Sequence, residues 1–95
     1  MKIKNLIWLD AVVEKIEVKH QVSPVEVEEA LSGRPKVRKM KRGRFRGEDV
    51  YRALGRTAGG RYLTMFFIHN RTGDALILSA RDMDNKERRS DATAK

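Results

Sequence analysis

Residues 61–81 read RYLTMFFIHNRTGDALILSAR, two apolar runs joined by a short polar segment. Both runs are rich in β-branched, aromatic and aliphatic residues, and the joining NRTG has the polar and glycine content of a turn. The pattern predicts two adjacent strands, and their apolar character places them at the centre of a sheet. The rest of the chain is predicted to pack around this pair.

The segments before this pair predict two further strands. PKVRKMKR, residues 35–42, is nearly all basic, which suits an exposed edge strand. In DVYRALGRT, residues 49–57, the side chains alternate between two kinds more regularly than in residues 35–42, as expected of a strand. Its two sides carry Tyr51, Ala53 and Gly55, and Arg52, Leu54 and Arg56. Gly59 and Gly60 offer a tight turn into the central strands.

The N-terminal part predicts a strand followed by two helices. IKNLIWL, residues 3–9, is apolar and β-prone, and Asp10 stands where an N-cap would begin the helix of residues 10–20. VSPVEVEEALSG, residues 22–33, predicts the second helix. Its signals are Ser23 as N-cap, Pro24 at the first helical position, Glu26 completing a capping box, Val22 with Val27 as a hydrophobic staple, and Gly33 as a left-handed stop.

After the central strands, Asp82 is predicted to cap a last helix, MDNKERRSDA, whose tail at about residues 90–95 frays. The chain of 95 residues suits a single domain. The predicted fold class is α+β, with an N-terminal strand and two helices packed on an antiparallel sheet and a C-terminal helix. This order differs from the strand-helix alternation of parallel nucleotide-binding folds.

Charge is concentrated in one segment. Residues 34–61 contain eleven Lys or Arg and two acidic residues, a net charge of +9, so with +8 for the whole chain the remainder carries −1. Such a field favours a polyanionic partner, either a nucleic acid or an acidic protein, although a basic solubilising surface would have the same composition. The basic run 34–46 is interpreted as this attracting field.

Other classes of protein are disfavoured. The chain has no cysteine, which excludes a disulfide framework and a thiolate zinc site, and its two isolated histidines are too few for an all-histidine metal site. No cofactor is expected. The apolar start is interrupted by Asp10 and Glu14, so it predicts neither a signal peptide nor a membrane span. A cytoplasmic location is the default expectation. Walker, GxGxxG, HExxH and zinc-finger patterns are absent.

The candidates for chemistry are mainly arginines. Arg81 follows an apolar central strand, and a rigid strand end positions a functional group well. Arg52, Arg56 and Arg61 lie on or beside the adjacent strands and could converge with it, and at least one of the three is expected to be a scattered surface arginine instead. Histidine transfers protons near neutral pH, and His20 is the better of the two, but it also suits a partly buried core position. His69 is expected to be a plain strand-end residue.

Two adjacent acids interrupt the basic segment, Glu48 and Asp49. Either could act as a base, but carboxylates among arginines usually form ion pairs, and that is the expected role. A helix-turn-helix interpretation of the two predicted helices is disfavoured by Glu26, Glu28 and Glu29, which would repel DNA phosphates.

Several stretches together resemble a known family. KHQVSPVEVEEAL, RGEDVYRALGRT, GRYLTMFFI and LILSARDMDNKERR are similar, in order and spacing, to the BrnT-type toxins of bacterial type II toxin-antitoxin modules, from about Lys19 to Arg89. The resemblance implies a RelE-like fold and metal-independent endoribonuclease activity that inhibits translation. It also implies neutralisation by a cognate DNA-binding antitoxin in a hetero-oligomer.

Carried over residue by residue, the resemblance matches polar positions at Lys19, His20, Glu48, Arg56, Arg61, Arg81, Glu87 and Arg88. The chain departs from the family pattern at Gln21, where glycine commonly follows the histidine, and at Asp49–Val50, where a basic residue often follows the GE pair. The predicted catalytic residues are His20, Glu48, Arg61 and Arg81. The predicted RNA-binding residues are Lys19, Arg52, Arg56 and Arg88.

The leading hypothesis is therefore a metal-independent endoribonuclease toxin with RNA as substrate. The alternative is a non-catalytic module of the same fold that binds nucleic acid or protein through the same basic surface. A transcription regulator built on the first two helices is the third and weakest hypothesis.

Overall fold

The computed structural model describes residues 2–41 and 49–93, which form five strands and three helices. In chain order these are β1 Asn5–Ile7, α1 Asp10–His20, α2 Pro24–Ser32, β2 Lys36–Lys41, β3 Val50–Arg56, β4 Tyr62–His69, β5 Asp74–Asp82 and α3 Asn85–Thr93. The strands form one sheet in the order β1-β5-β4-β3-β2, so β4 is central. The α+β fold class and the central position of β4 are confirmed, and whether the tail frays stays a prediction.

One strand differs from the predicted antiparallel sheet. β1 pairs with β5 in parallel, with Leu6 opposite Ala75, while the other three described strand pairs are antiparallel. The path of the chain explains the difference, because α1 and α2 separate β1 from the next strand and leave it without a hairpin partner. β1 pairs instead with the last strand, and the sheet is mixed.

α1 and α2 cover one face of the sheet, which we call the helix-pair face. α1 packs on β5, and α2 packs on β3 and β4. The buried side chains of this layer form one apolar core, made of Ile16, Val22, Val27, Ala30, Ala53, Leu63, Met65, Phe67, Ala75, Ile77 and Ala80. On β4 the core residues are Leu63, Met65 and Phe67, at every second position. This is the spacing of a strand that buries one face, so the apolar run was correctly predicted to be a strand of the sheet centre.

Gly55 lets α2 approach β3 closely. A Cβ atom at this position would lie 2.7 Å from the carbonyl oxygen of Ala30 in α2, closer than real Cβ atoms come to other atoms. Tyr51, Ala53 and Gly55 lie on this face of β3, as the alternation predicts, and Arg52, Leu54 and Arg56 lie on the other.

The second helix begins as predicted. Ser23 and Glu26 form a capping box, because Ser23 Oγ accepts a hydrogen bond from the Glu26 amide at 3.2 Å and Glu26 Oε1 accepts one from the Ser23 amide at 3.0 Å. Gly33 is not the predicted left-handed stop, since its φ is −77°. The left-handed residue is Gln21, with φ 52°, at the end of α1. The tight passage between the helices requires it there.

The start of α1 also differs from the prediction. The N-cap is Leu9, which makes no side-chain capping hydrogen bond, and Asp10 is the first helical residue. The carbonyl of Leu9 accepts hydrogen bonds from the amides of Val12 and Val13 at 2.9 and 3.1 Å. Asp10 therefore contributes only through its charge, which is favourable near the positive end of the helix dipole.

The opposite face of the sheet, which we call the α3 face, is covered in part by α3. Alternate side chains of three strands point to this face: Arg52, Leu54 and Arg56 of β3, Tyr62, Thr64 and Phe66 of β4, and Ser79 and Arg81 of β5. Among the described residues, no helix has both the length and the apolar character that a membrane span needs.

Candidate functional site

α3 lies across one row of side chains on the α3 face. The row contains residues that are opposite one another in neighbouring strands, namely Lys36, Leu54, Thr64 and Arg81. Leu54 and Thr64 are almost completely buried, and Lys36 Nζ donates a hydrogen bond to Ser90 Oγ of α3 at 3.1 Å. α3 thus extends from the end of β5 towards the β2 edge, over the strand ends where the predicted arginines lie.

The start of α3 is capped by Asp84, so the prediction of Asp82 as the cap is wrong. The Glu87 amide donates to Asp84 Oδ1 at 2.8 Å, and the Asp84 amide donates to Glu87 Oε1 at 2.9 Å. This reciprocal pair has the geometry of a capping box. Asp82 stays in β5 because the β4–β5 ladder continues to it, opposite Leu63.

Glu87 is a buried carboxylate, 7% exposed, at the centre of a polar cluster. Arg81 Nη1 and Nη2 donate to its two oxygens at 2.8 and 2.9 Å, and Thr64 Oγ1 donates to Oε1 at 2.9 Å. Arg52 Nη1 lies 3.9 Å from Oε2, an ion pair without a hydrogen bond. We call Arg52, Thr64, Arg81 and Glu87 the Glu87 cluster.

The charge state of Glu87 follows from these contacts. Burial would raise the pKa of Glu87, but the hydrogen bonds from Arg81, the Asp84 amide and Thr64 outweigh it and lower the pKa to about 2. The hydrogen bond to Glu87 in turn raises the pKa of the Arg81 guanidinium. Glu87 is therefore ionised at neutral pH and is a weak base there, so it holds arginines rather than accepting a proton.

Two more arginines meet around Tyr62 on the same face. The Cζ atoms of Arg56 and Arg88 lie 4.7 and 4.3 Å from the centre of the Tyr62 ring. Arg56 Nε is 3.7 Å from Asp91 Oδ2, and the Arg56 side chain is 56% exposed. These contacts leave both guanidinium groups able to reach an anion from solvent.

Arg61 belongs to a different cluster, on the helix-pair face. Its Nε donates to Asp82 Oδ1 at 2.7 Å, and its Nη1 donates to the Gln21 carbonyl at 2.6 Å and to Glu26 at 3.2 Å. Its Nη2 donates to the His20 carbonyl at 2.9 Å and to Asp82 Oδ2 at 3.2 Å. Every nitrogen of the guanidinium group is bonded to the protein, and the carbonyls it holds end α1.

The Arg61 cluster consists of Arg61, Asp82, Glu26 and the carbonyls of His20 and Gln21. The hydrogen bond from Arg61 lowers the pKa of Asp82, and His20 adds a smaller effect in the same direction. The pKa of Glu26 is lowered first by the Ser23 amide and then by Arg61. The hydrogen bond to Asp82 raises the pKa of Arg61.

The structure brings four of the predicted site residues together and separates two. Arg52, Arg56, Arg81 and Arg88 lie on the α3 face or against it. Arg61 and His20 lie on the helix-pair face. The convergence with Arg81 that the sequence allowed therefore holds for Arg52 and Arg56 but not for Arg61, whose side chain points to the other side of the sheet. The prediction of Arg61 as a catalytic residue beside Arg81 is wrong for the same reason.

The remaining candidates are distributed around the molecule. Lys19 is an exposed residue of the last turn of α1. Glu48 and residues 42–46 of the basic run lie outside the described residues. Asp49 pairs with Lys39 at 3.1 Å, which confirms the ion pair expected of it. His69 Nε2 is 3.1 Å from the Lys2 carbonyl at a strand end, also as expected.

Sequence reasoning missed two residues of this site, Thr64 and the α3 cap Asp84. Thr64 gave no signal, because it was one polar residue within an apolar strand. The cap had a signal, since Asp84 and Glu87 have the spacing of a capping box. Among the described residues, no group of three or more His, Cys, Asp or Glu is placed to hold a metal ion.

The fold is shared with a protein of known structure, the ribonuclease toxin BrnT of Brucella abortus. The crystal structure of that toxin has a TM-score of 0.66 to this chain at 20% sequence identity, and the match covers 85% of this chain and 97% of that one. No protein-family model and no curated protein matches this chain. The likeness confirms that this chain has the α+β fold of BrnT, as the sequence resemblance implied.

Proposed function

We propose that this chain is a ribonuclease toxin that cleaves RNA without a metal ion. The observation that supports it best is the convergence of Arg52, Arg56, Arg81 and Arg88 on one face of a fold that a ribonuclease toxin also has. Cations fixed on a rigid sheet suit the binding of RNA phosphates and the stabilisation of charge that develops when a phosphodiester is cleaved.

The proposed reaction moves phosphorus from one oxygen to another. The 2′-oxygen of the RNA bonds to the adjacent phosphorus while the bond from phosphorus to the 5′-oxygen breaks. One proton leaves the 2′-hydroxyl and one joins the departing 5′-oxygen. Arg56 and Arg81 stabilise the added negative charge on the phosphoryl oxygens. Glu87, with its pKa of about 2, is too weak a base for the proton step, and His20 lies on the helix-pair face, away from Arg56 and Arg81. Of the residues predicted from the sequence for this step, Glu48 is the remaining candidate.

Two of the other predicted residues take supporting roles in this proposal. Arg61 is a positioning residue, because its hydrogen bonds to the His20 and Gln21 carbonyls fix the end of α1 beside β5. Arg88 is exposed beside Tyr62 and adds a phosphate contact at the margin of the site. Lys19 is exposed in the last turn of α1, which covers the helix-pair face, so it lies away from this site.

The test compares two double variants of equal charge. Arg56→Gln/Arg88→Gln removes exposed cations of the α3 face, and Lys2→Gln/Arg71→Gln removes exposed cations elsewhere. We expect purified wild-type protein to cleave RNA with EDTA present, the first variant to lose at least about tenfold in rate, and the second to keep its rate. A folded wild-type protein that leaves RNA intact refutes the enzyme, and equal rates for the two variants refute the site.

Arg81 needs a paired design. Replacing it alone leaves Glu87 buried without its main partner, which destabilises the fold. Arg81→Met/Glu87→Met removes both charges together, and such replacement of a buried pair is often close to neutral for stability. We expect this folded double variant to be inactive, while activity at the wild-type level would remove Arg81 from the site.

A non-catalytic RNA-binding module is the second candidate. The placement of the histidines favours it, since His20 and His69 both lie off the α3 face and Arg81 is already paired with Glu87. Binding without cleavage would support it. The logarithm of the affinity should then fall linearly with the logarithm of the salt concentration, because bound phosphates release counterions.

The toxin proposal also includes an antitoxin partner. A toxin that degrades RNA in the cytoplasm of its own cell requires neutralisation, and an acidic segment of a DNA-binding partner would complement the net charge of +8. Expression of the chain alone is expected to arrest growth, and co-expression with the product of a neighbouring open reading frame is expected to restore it. Restored growth without a complex of the two proteins would contradict direct neutralisation.

A further inference from the structure

α3 covers only part of its face. One step along the strands from the row beneath α3 lies a second row, in which Arg38, Arg52, Phe66 and Ser79 are opposite one another. Beyond it lie Val50, Ile68 and Leu76, also in register. Phe66, Ser79, Val50, Ile68 and Leu76 are all partly exposed. Residues 2–41 and 49–93 therefore leave an apolar strip with one aromatic ring partly uncovered beside the Glu87 cluster.

The surroundings of Phe66 combine a ring with cations. Arg81 Cζ lies 5.7 Å from the centre of the Phe66 ring, and Arg52 is the register neighbour of Phe66 on β3. Arg52 Nε is buried and has no hydrogen-bond partner among the described residues, and Arg52 Nη1 lies 3.9 Å from Glu87 Oε2. Arg38, at the end of the row, is exposed.

The aromatic rings differ in how closely other groups of the protein already contact their faces. Two guanidinium groups lie over Tyr62, at 4.3 and 4.7 Å. Tyr51 and Phe67 stack on each other on the helix-pair face, with ring centres 5.8 Å apart. Among these described rings, Phe66 combines partial exposure on the α3 face with a single and more distant cation. It is the ring best placed to stack with a ligand.

We propose that Phe66 is the base-stacking position of a single-stranded RNA site on the open part of the α3 face. The proposal rests on the proposed function for its choice of substrate. A base stacks on the Phe66 ring, and Arg52 and Arg81 bind the phosphate beside it. Side chains two residues apart on a strand are about 6.7 Å apart, so the base position and the Thr64 row beneath α3 are neighbours.

The charge and the ring together identify the occupant. The net charge of +9 in residues 34–61 complements a polyanion, and Arg38 of β2 and Arg52 and Arg56 of β3, all from that segment, lie on this face. An acidic peptide would satisfy the cations but has no need of an aromatic ring. A nucleobase stacks on any aromatic face whatever its sequence, and such contacts add substantially to single-strand affinity.

Fluorescence anisotropy with short 2′-O-methyl RNA oligomers tests this site. These oligomers lack a free 2′-hydroxyl and so report binding alone, and an abasic oligomer of equal length presents the same phosphates without bases. We expect Phe66→Leu to weaken binding of the base-containing oligomer roughly tenfold and to leave binding of the abasic oligomer unchanged. Phe66→Trp, which keeps a ring, should bind like the wild type or more tightly.

Tyr51→Leu is the matched control, because it removes another partly exposed ring, from the opposite face of the neighbouring strand. It should leave both affinities unchanged. Equal wild-type affinity for the two oligomers, or equal weakening of both by Phe66→Leu, overturns the stacking site. So does binding of an acidic peptide with no binding of either oligomer.

The same measurement separates this proposal from the proposed function. If the wild type binds the base-containing oligomer through Phe66 but never cleaves unmodified RNA, the stacking site stands and the ribonuclease fails. If it cleaves unmodified RNA and Phe66→Leu changes neither affinity nor cleavage rate, the ribonuclease stands and the stacking site fails.

Discussion

The two faces of the sheet are covered by opposite means. On the helix-pair face, α1 and α2 bury aliphatic side chains such as Ile16, Val22 and Val27 against the sheet. On the α3 face, the sequence of α3, NKERRSDAT, has a single apolar residue, and the helix is held by Glu87, Ser90 and Asp91. One layer is attached by apolar burial and the other by charges and hydrogen bonds.

This difference separates stability from function within one small fold. Apolar burial depends little on salt or acid, whereas ion pairs weaken with both. The arginines proposed to bind RNA are on the α3 face, where ion pairs and hydrogen bonds attach the helix to the sheet. Conditions or substitutions that alter charge should therefore affect the α3 face selectively, and those that alter apolar volume should affect the whole fold.

The largest effect is expected from the apolar layer. Ile16 is fully buried, so Ile16→Ala should destabilise the protein by about 3–4 kcal/mol through lost burial and a cavity. Urea unfolding should give the same loss at low and at high salt. Val18→Ala on the exposed side of the same helix should cost little. A strong salt dependence of the Ile16→Ala loss would break the distinction between the faces.

The next largest effect is the stabilisation of the protein by the ionised Glu87 carboxylate on the α3 face, which depends on pH. The pKa of Glu87 falls from 4.5 to about 2, so the folded protein binds this proton less readily than the unfolded chain. The stabilisation is complete above pH 4.5 and is lost as the pH falls through about 2. A shift of this size corresponds to about 3 kcal/mol.

Glu87→Gln tests this expectation. The variant should be less stable than the wild type by about 3 kcal/mol at pH 7, and the difference should fall to about half of that or less at pH 3. The control Glu17→Gln changes an exposed carboxylate of α1 and should show little difference at either pH. A difference for Glu87→Gln that is independent of pH would mean that its charge does not hold α3.

Arg61 sharpens the comparison because it is a charged residue on the apolar side. Arg61→Met removes the hydrogen bonds to the His20 and Gln21 carbonyls and the ion pairs with the Glu26 and Asp82 carboxylates. We expect the free energy of unfolding to fall by about 2 kcal/mol. Glu26 and Asp82 are partly exposed and can be rehydrated, which keeps the cost below that of a buried pair. Thermal unfolding measures it, and Arg71→Met is the exposed control. A loss no larger than that of the control would show that Arg61 does not secure the helices.

The sequence predicted those features that depend on local signals. The capping box of Ser23 and Glu26 and the alternation along β3 are both confirmed, because each involves residues close together in the chain. The fold class followed from the order of such elements and from the family resemblance. The same reasoning predicted that Arg52 and Arg56, which lie on β3, could converge with Arg81, which lies on β5.

The features it did not predict depend on distant partners. The partners of Arg61 are contributed by α1, α2 and β5, and no local pattern indicates that its side chain points to the helix-pair face. β1 pairs in parallel with a strand at the other end of the chain. Asp82 is not the cap of α3 because the β4–β5 ladder continues to it, and the length of that ladder depends on pairing with β4 rather than on the local sequence.

The smallest expected effect concerns Gln21, where the two helices of the apolar layer join. Gln21 has a φ of 52°, a left-handed conformation that strains a residue with a side chain, and its Nε2 donates to the Val18 carbonyl at 3.0 Å. Gln21→Gly removes the strain and this hydrogen bond, and gives the unfolded chain more freedom. Since glycine is favoured at left-handed helix ends, we expect a net gain of about 0.5 kcal/mol.

Gln21→Ala is the matched variant for this last measurement, because it loses the same hydrogen bond and keeps the strain. It should be less stable than the wild type, and Gln21→Gly should be more stable, in urea unfolding at neutral pH. Arg61 Nη1 donates to the Gln21 carbonyl at 2.6 Å, so the backbone conformation of Gln21 helps to hold α1 and α2 in place on the sheet. If glycine lowers stability as much as alanine, the side-chain hydrogen bond outweighs the strain, and this junction too is held mainly by polar contacts.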